Sequence, residues 1–435
     1  MRRFLFLIVA AGAGAVPARA QQADSSAATT LEVTLDEAIR RALDVQPAMV
    51  QARGAQRNAG ASQRSAFGAF LPSLTLSGGS SHASGNRFNS ATNQIVSGPA
   101  STSYTGGVSL NIVLFDGFAR FASTNAASAG AAAADAGYQN QRFQVTLATK
   151  QAYYATLSTA DLAAVAQANT RQAQQQFDIA VQKLRAGSAT RSDSLRSVVA
   201  LGNSHIAEIQ AQTALAIAQA ALGRQIGVDR PVRAVPDSNL APLPDTTELK
   251  QLAGQAPAVK QADAEFRSAQ SLVTVARAQY FPTFSAGYAN GYTGFDAPWN
   301  TTNSYVNNWS LRFSVSLPIF NGFTREQQLV SASVNRDVAS AMAADTRRAV
   351  NEQLVQLVAA LQTAYEQIGI SATNVDAASE DVRVQQERYR VGAGTILDLL
   401  TSEASLTSAR TNLVVARFNY NIARAALEAL VGRTL

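Results

Sequence analysis

Apolar and polar positions along the 435-residue chain change their period several times, and the changes come twice. In four short stretches the period is two. Leu74 and Leu76 alternate with serine and threonine, and Val108, Leu110, Ile112 and Leu114 alternate with polar or small neighbours. Further on, Phe284, Ala286, Tyr288 and Tyr292 share one face, and Trp309, Leu311, Phe313, Val315 and Leu317 stand against Arg312, Ser314 and Ser316. Such alternation predicts strands with one apolar face, within about residues 72–115 and 282–320. The Gly-, Ser- and Asn-rich segments 77–103 and 294–308 read as loops between the strands.

Elsewhere the pattern is helical and very long. No proline occurs between Pro99 and Pro231 or after Pro318. Ala-, Gln- and Leu-rich runs over about 118–186 and 323–391 predict helices on the order of 100 Å, at 1.5 Å per residue. No globular domain of this size encloses such a helix. Leu399, Leu406, Leu413 and Tyr420 recur every seven residues, with Ser402, Ala409, Ala416 and Ala423 three positions after each. That is a coiled-coil seam whose small residues let helices approach closely. Phe177, Val181 and Leu184 form a similar stripe.

The pattern recurs because the chain is an internal duplication. Leu71-Pro72-Ser73-Leu74 returns as Phe281-Pro282-Thr283-Phe284, and Gln46-Pro47-Ala48 as Ala256-Pro257-Ala258, both 210 residues later. Phe115-Asp116-Gly117-Phe118-Ala119-Arg120 returns as Phe320-Asn321-Gly322-Phe323-Thr324-Arg325, 205 later. Gly187-Ser188-Ala189-Thr190 with Asp193 returns as Gly392-Ala393-Gly394-Thr395 with Asp398, and Ala221-Leu222 with Gly227 as Ala426-Leu427 with Gly432, at that same offset. The five-residue slip falls between 72 and 115, where a variable loop belongs. Each copy reads as helix, strand, loop, strand, very long helix, tight turn, helix. The first copy covers 21–228, an extended proline-rich linker 229–246, and the second copy 247–435.

Residues 1–20 stand apart. Arg2 and Arg3 precede an apolar core, and Ala18-Arg19-Ala20 closes it, which reads as a secretory signal peptide. Its loss removes three arginines, so the net charge of +6 falls to +3. With no basic run interleaved with aromatics, nucleic acid is excluded as a partner. The chain has no cysteine, which excludes disulfides and a lipidated N-terminal cysteine. His82 and His205 lack partners at ligand spacing, and no G-x-S-x-G, Walker loop or H-E-x-x-H occurs, so neither enzyme, metal nor cofactor is expected. Energy for any transport must come from a partner.

Four alternating strands cannot close a membrane barrel alone, since such barrels begin at about eight. Three chains would close twelve, although strand arithmetic leaves other copy numbers open. Thr34-Leu35-Asp36-Glu37-Ala38-Ile39 through Pro47, then Leu71-Pro72-Ser73-Leu74, resembles the opening helix and first strand of the TolC-like outer-membrane efflux proteins, the outer membrane factors. Leu114-Phe115-Asp116-Gly117 and Ile319-Phe320-Asn321-Gly322 resemble their strand-to-helix junctions. Arg388-Tyr389-Arg390-Val391-Gly392 through Thr395-Ile396-Leu397-Asp398 resembles their second hairpin tip. The resemblance runs from about residue 33 to 433. It implies a homotrimer with a shared twelve-stranded β-barrel in outer-membrane lipid of a Gram-negative-type cell, continued by an α-helical coiled-coil barrel through the periplasm. It also implies partners, a periplasmic adaptor (membrane fusion) protein and an inner-membrane transporter. The function implied is a passive exit duct of a tripartite efflux pump or type I secretion system, for drugs, metals or secreted proteins. The competing reading is a soluble periplasmic coiled-coil scaffold or adaptor; Trp309 and Tyr288 on apolar strand faces favour the membrane.

Two sets of site residues are expected. Ala186-Gly187-Ser188 and Val391-Gly392-Ala393 end the long helices, with glycine suited to a left-handed terminator. The family resemblance makes these turns the adaptor-contacting tip, although serine and alanine stand where its Val-Gly-Leu pattern has leucine. Thr190 to Asp193 and Thr395 to Asp398 both spell T-x-x-D, a capping box. The resemblance adds a pore gate, with acids at Asp193 and Asp398 and a tyrosine at Tyr389. Thr401 and Gly394 stand where a family aspartate and arginine would be. The first copy has Arg191 and Ser192 beside Asp193. The expected gate therefore comprises Asp398, Tyr389, Asp193, Ser192 and Thr401, with one main acidic ring at Asp398.

Overall fold

The computed structural model of the protein describes residues 31–236, 242–300 and 305–435, so the expected signal peptide lies outside the described residues. The first repeat runs β1 (Leu31–Val33), α1 (Leu35–Val45), α2 (Pro47–Gly68), β2 (Ser73–Asn89), β3 (Gln94–Phe115), α3 (Ala119–Arg185) and α4 (Arg191–Ile226). After β4 (Val232–Ala234), the second runs α5 (Thr246–Ala253), α6 (Pro257–Ala278), β5 (Thr283–Gly294), β6 (Val306–Ser316), α7 (Thr324–Arg390) and α8 (Ile396–Val431). The long helices α3 and α7 are each 67 residues, and their partners α4 and α8 each 36. The opening helix breaks at Gln46 because Pro47 disfavours a helical residue before it.

Among the described residues the two larger cores each draw mostly on one repeat. Val33, Tyr153, Leu157, Leu222, Ile226 and Val232 form the first; Leu249, Val259, Val350, Leu354, Tyr420, Leu427 and Val431 form the second. Leu222 and Leu427 are equivalents at the 205 offset, so that part of the repeat is a packing repeat. The coiled-coil seam is buried at Leu399, Ser402, Leu406, Ala409, Ala416 and Tyr420.

Two expectations need correction. Segment 77–103, read as a loop, is mostly strand: β2 and β3 pair from Ser73↔Asn111 out to Asn89↔Gln94, with a bulge between Ala83 and Gly85. Backbone pairing by itself sustains such a ladder, so no apolar alternation is needed to mark it. The linker 229–246 also contains β4, which pairs in parallel with β1. Tyr153 from α3 fastens that pair, its hydroxyl donating to the carbonyls of Val235 at 2.6 Å and Val33 at 3.3 Å. Three-residue strands carry too little periodicity to be read from sequence.

The larger sheet has the order β2-β3-β5-β6, antiparallel throughout. One face carries Leu74, Leu76, Val108, Leu110, Tyr288, Trp309, Leu311, Phe313 and Val315; the other carries Ser109, Asn111, Ser285, Arg312 and Ser314. The apolar face is open, with Leu76 82% and Phe313 71% exposed.

The F-[DN]-G-F-x-R motif turns each strand into its long helix. Gly117 and Phe118, then Gly322 and Phe323, all take positive φ, between 62° and 69°. Arg120 reaches back to the Leu114 carbonyl at 3.1 Å and to Asp116 Oδ2 at 3.1 Å, while Arg325 donates to the carbonyls of Pro318 at 2.9 Å and Ile319 at 3.2 Å. The arginine thus satisfies carbonyls left over where the ladder stops.

Candidate functional site

Both long helices end at the same tip, in the same way. Gly187 and Gly392 are left-handed, at φ 73° and 80°. Ser188 N donates to Lys183 O and Ala393 N to Arg388 O, both at 2.8 Å, which closes a Schellman turn in each repeat. Ala186, Gly187, Ser188, Val391, Gly392 and Ala393 are all exposed, so both turns are free to meet another molecule.

Next to each turn the T-x-x-D pair forms a capping box. Asp193 N donates to Thr190 Oγ1 at 3.2 Å, and Asp193 Oδ2 accepts from Thr190 N at 3.0 Å and Thr190 Oγ1 at 2.8 Å. The second copy repeats this at Thr395 and Asp398, at 3.1, 3.2 and 2.9 Å. The Thr395 bonds hold the Asp398 carboxyl below the usual carboxylate range, helped by the Arg388 charge. In both boxes the cap bonds engage Oδ2 of the aspartate.

Tyr389 sits behind this rim, buried with Ile396 and Leu399. Its hydroxyl has no hydrogen-bond partner. Burial pushes that hydroxyl above the usual phenol range, and the Asp193 charge adds to the shift. The Lys183 ammonium from α3 lies 4.1 Å from the Tyr389 ring centre and donates to the Tyr389 carbonyl. The two repeats are therefore joined at the tip, and the fold brings Tyr389 and Asp193 into one electrostatic neighbourhood. Ser192 and Thr401 are exposed; the Thr401 hydroxyl donates back to the Leu397 carbonyl at 2.8 Å.

Two residues at or near the tip were not read from the sequence, Lys183 and Glu403, and Arg388 was read only as part of the tip motif. Lys183 and Arg388 are equivalents at the 205 offset, a signal that was available in the duplication. Glu403 on α8 is only 6% exposed, and its carboxylate accepts from Gln172 Nε2 of α3 at 2.9 Å. Nothing in its local sequence marks that burial.

Comparison with known proteins follows the same outline. The family model described as outer membrane efflux protein matches residues 38–228 and 249–433. The chain is 24% identical over 163 residues to a probable efflux pump outer membrane protein, TtgC, of Pseudomonas putida; the match covers 38% of this chain and 34% of that protein. In fold it is similar to the outer membrane protein VceC of Vibrio cholerae, with a TM-score of 0.79 and 19% identity, covering 92% of this chain and 96% of that one. It is equally similar to a membrane protein from Pseudomonas aeruginosa, with a TM-score of 0.80 and 20% identity, covering 91% and 93% of the two chains.

Proposed function

The chain belongs to the outer membrane efflux protein family, and we propose that three copies of it close a twelve-stranded barrel continued by a helical tunnel, a passive duct out of the cell. It is an outer-membrane protein whose helices extend into the periplasm. The observation that carries the reading is the four-stranded sheet, whose strands β2 and β6 have no outer neighbour and whose one apolar face is open. In lipid neither edge can remain unpaired. From Trp309 to Val315 the apolar positions of β6 run roughly 20 Å along the strand, a stretch that fits within a membrane barrel's apolar band of about 25 Å. Among the described residues no helix is long and apolar enough to cross a membrane.

The duplication supports the way the copies would join. Within one chain α3 packs against its own α2 and α4 and also against α6 and α8 of the second repeat. Its equivalent α7 packs mainly against helices of its own repeat, meeting α3 near the tip where Lys183 touches Tyr389, and leaves Val330, Val334, Val338 and Met342 exposed. Likewise Gly117 is covered by the second repeat, since a Cβ there would lie 2.7 Å from the Ala278 carbonyl, while the equivalent Gly322 faces open space. A head-to-tail ring of copies covers α7 with α2 and α4 of the next copy and repeats the internal interface at each junction.

That equivalence sets a strand register. Ser109 of β3 stands opposite Ala289 of β5. Moved by the two offsets, Ser314 of β6 stands opposite Gly79 of the neighbouring copy's β2. The natural chain has no cysteine, so the pair can be tested directly. Ser314→Cys with Gly79→Cys is expected to give covalently linked trimers under oxidising, denaturing electrophoresis, because facing strand positions suit a disulfide. Ser314→Cys with Ser77→Cys, two residues out of register, is expected to stay monomeric. Equal linking of both pairs, or of neither, would remove the proposed junction.

A periplasmic adaptor and an energised inner-membrane transporter would complete the route, docking at the exposed turns around Gly187 and Gly392. Asp398, with Tyr389 and Asp193 behind it and Ser192 and Thr401 along the rim, would form the gate.

A further inference from the structure

Lys183 lies in the last turn of α3, and its side chain leaves that helix to meet the end of another. Its ammonium donates to the Tyr389 carbonyl in the last turn of α7 and sits over the Tyr389 ring, 4.1 Å from the ring centre. A helix C-terminus carries partial negative charge on its last carbonyls, and a cation placed there is stabilising. Here the cation comes from a different helix, in the other repeat. The electron-rich ring face adds to the attraction. Among the described residues no carboxylate forms an ion pair with Lys183, so its charge is engaged by the α7 end and the aromatic face.

Both ends of this contact are held locally. The Lys183 carbonyl accepts from Ser188 N at 2.8 Å and from Ser188 Oγ at 3.2 Å, which ties the lysine to its own turn. The Tyr389 carbonyl also accepts from Gly392 N at 3.2 Å, and the ring packs with Ile396 and Leu399 of α8. The duplication does not repeat the contact. Arg388, the equivalent of Lys183, stays on its own hairpin, donating to Gln385 Oε1 at 3.3 Å and to the Ala393 carbonyl at 3.5 Å. Leu184, the equivalent of Tyr389, offers no ring face. The contact therefore belongs to the meeting of the two hairpins and is not a by-product of the turn.

We propose that Lys183 is a positioning residue for the gate, a latch that caps α7 from α3 and keeps the second hairpin against the first. Farther from the tip α3 packs along α8, while α7 packs along α6 and α8, so the two long helices are tied to each other near their ends. Tyr389 stands in the last turn of α7 and Asp398 in the first turn of α8, so a shift of the α7 end carries the Asp398 rim with it. The inference rests on the reading of this tip as the gate and names a residue that holds it narrow. Without the ammonium the α7 end loses its charge partner and the hairpins separate more easily. A cation–π contact at a partly exposed site shifts such an equilibrium about two- to fivefold, and three subunits moving together shift it roughly tenfold or more.

The test compares full-length wild type with Lys183→Met and Lys183→Arg, in planar bilayers and by amide hydrogen exchange in detergent. Methionine keeps an unbranched apolar chain and removes the charge, whereas arginine keeps a cation for the same carbonyl and ring. Lys183→Met is expected to raise the open-to-closed ratio roughly tenfold and to speed exchange of the amides at the α7 end, residues 387–393. Lys183→Arg is expected to stay near wild type in both measurements. Lys183→Met with wild-type gating overturns the proposal even where exchange rises, because a cap that leaves the channel unchanged is not a latch. Lys183→Arg that gates like Lys183→Met overturns it too, since charge is then not what holds the hairpins. Cation block in Asp398→Asn channels reports on the acidic ring separately. If that block is unchanged while Lys183→Met still opens the channel, the ring reading fails and the latch stands.

Discussion

Replacing Phe313 by arginine is expected to remove the assembled protein from the outer membrane. Phe313 lies mid-strand on the apolar face of β6, between Leu311 and Val315 along the same face. At the middle of a bilayer an arginine on the lipid side of a barrel costs about 2–4 kcal/mol, and three copies incur that cost together. Ser314, one residue along, points to the opposite face, where Arg312 already stands and where Ser314 pairs with Ser285 at 2.7 Å. Ser314→Arg therefore serves as the control and is expected to leave assembly near wild type. The measurement is the yield of detergent-resistant trimer extracted from the outer-membrane fraction. Equal yields for Phe313→Arg and Ser314→Arg would show that the apolar face does not meet lipid.

The second large effect is expected at Asp398. Three carboxylates brought to one constriction strengthen cation binding by at least about tenfold, even in a water-like dielectric. Asp398→Asn is expected to abolish most of the block by multivalent cations and to weaken cation selectivity in single-channel recordings. The capping role of the same residue calls for a control. Thr395→Ala breaks the box, removing the hydroxyl that accepts from Asp398 N and donates to Asp398 Oδ2, but keeps the charge. It is expected to lower stability by the usual modest amount for a lost N-cap while leaving block intact. If Thr395→Ala and Asp398→Asn weaken block equally, Asp398 acts on the helix end and not on the pore. Block by cations should also persist to unusually low pH, since the Thr395 bonds keep the carboxyl ionised below its ordinary range.

The tip illustrates which features short sequence can carry. The capping boxes at Thr190 and Thr395 span four residues and form through bonds confined to those residues, so T-x-x-D was enough to read them. The Schellman turns at Gly187 and Gly392 are equally local. The neighbourhood of Tyr389 is different. Lys183, Asp193 and Tyr389 come from separate helices, and their meeting depends on how α3 lies against the second repeat. The register between β2 and β6 of adjacent copies stands between these cases: it needs one observed pairing, β3 with β5, and the repeat then carries it to the other junction.

By itself the sequence determined the duplication, the two 67-residue helices, the turns that end them and the apolar face of the strands. These arise from periodicity, proline placement and bonds within a few residues, all of which short stretches contain. Only the tertiary structure decided how far β2 and β3 extend, that β1 pairs with β4, and that Glu403 is buried among amides while Asp398 stays exposed. A ladder of Gly, Ser and Thr has no apolar signature, because backbone pairing holds it. Two acids five residues apart on one helix differ in exposure because only one of them faces α3, and that orientation is set by contacts more than 200 residues away in the chain.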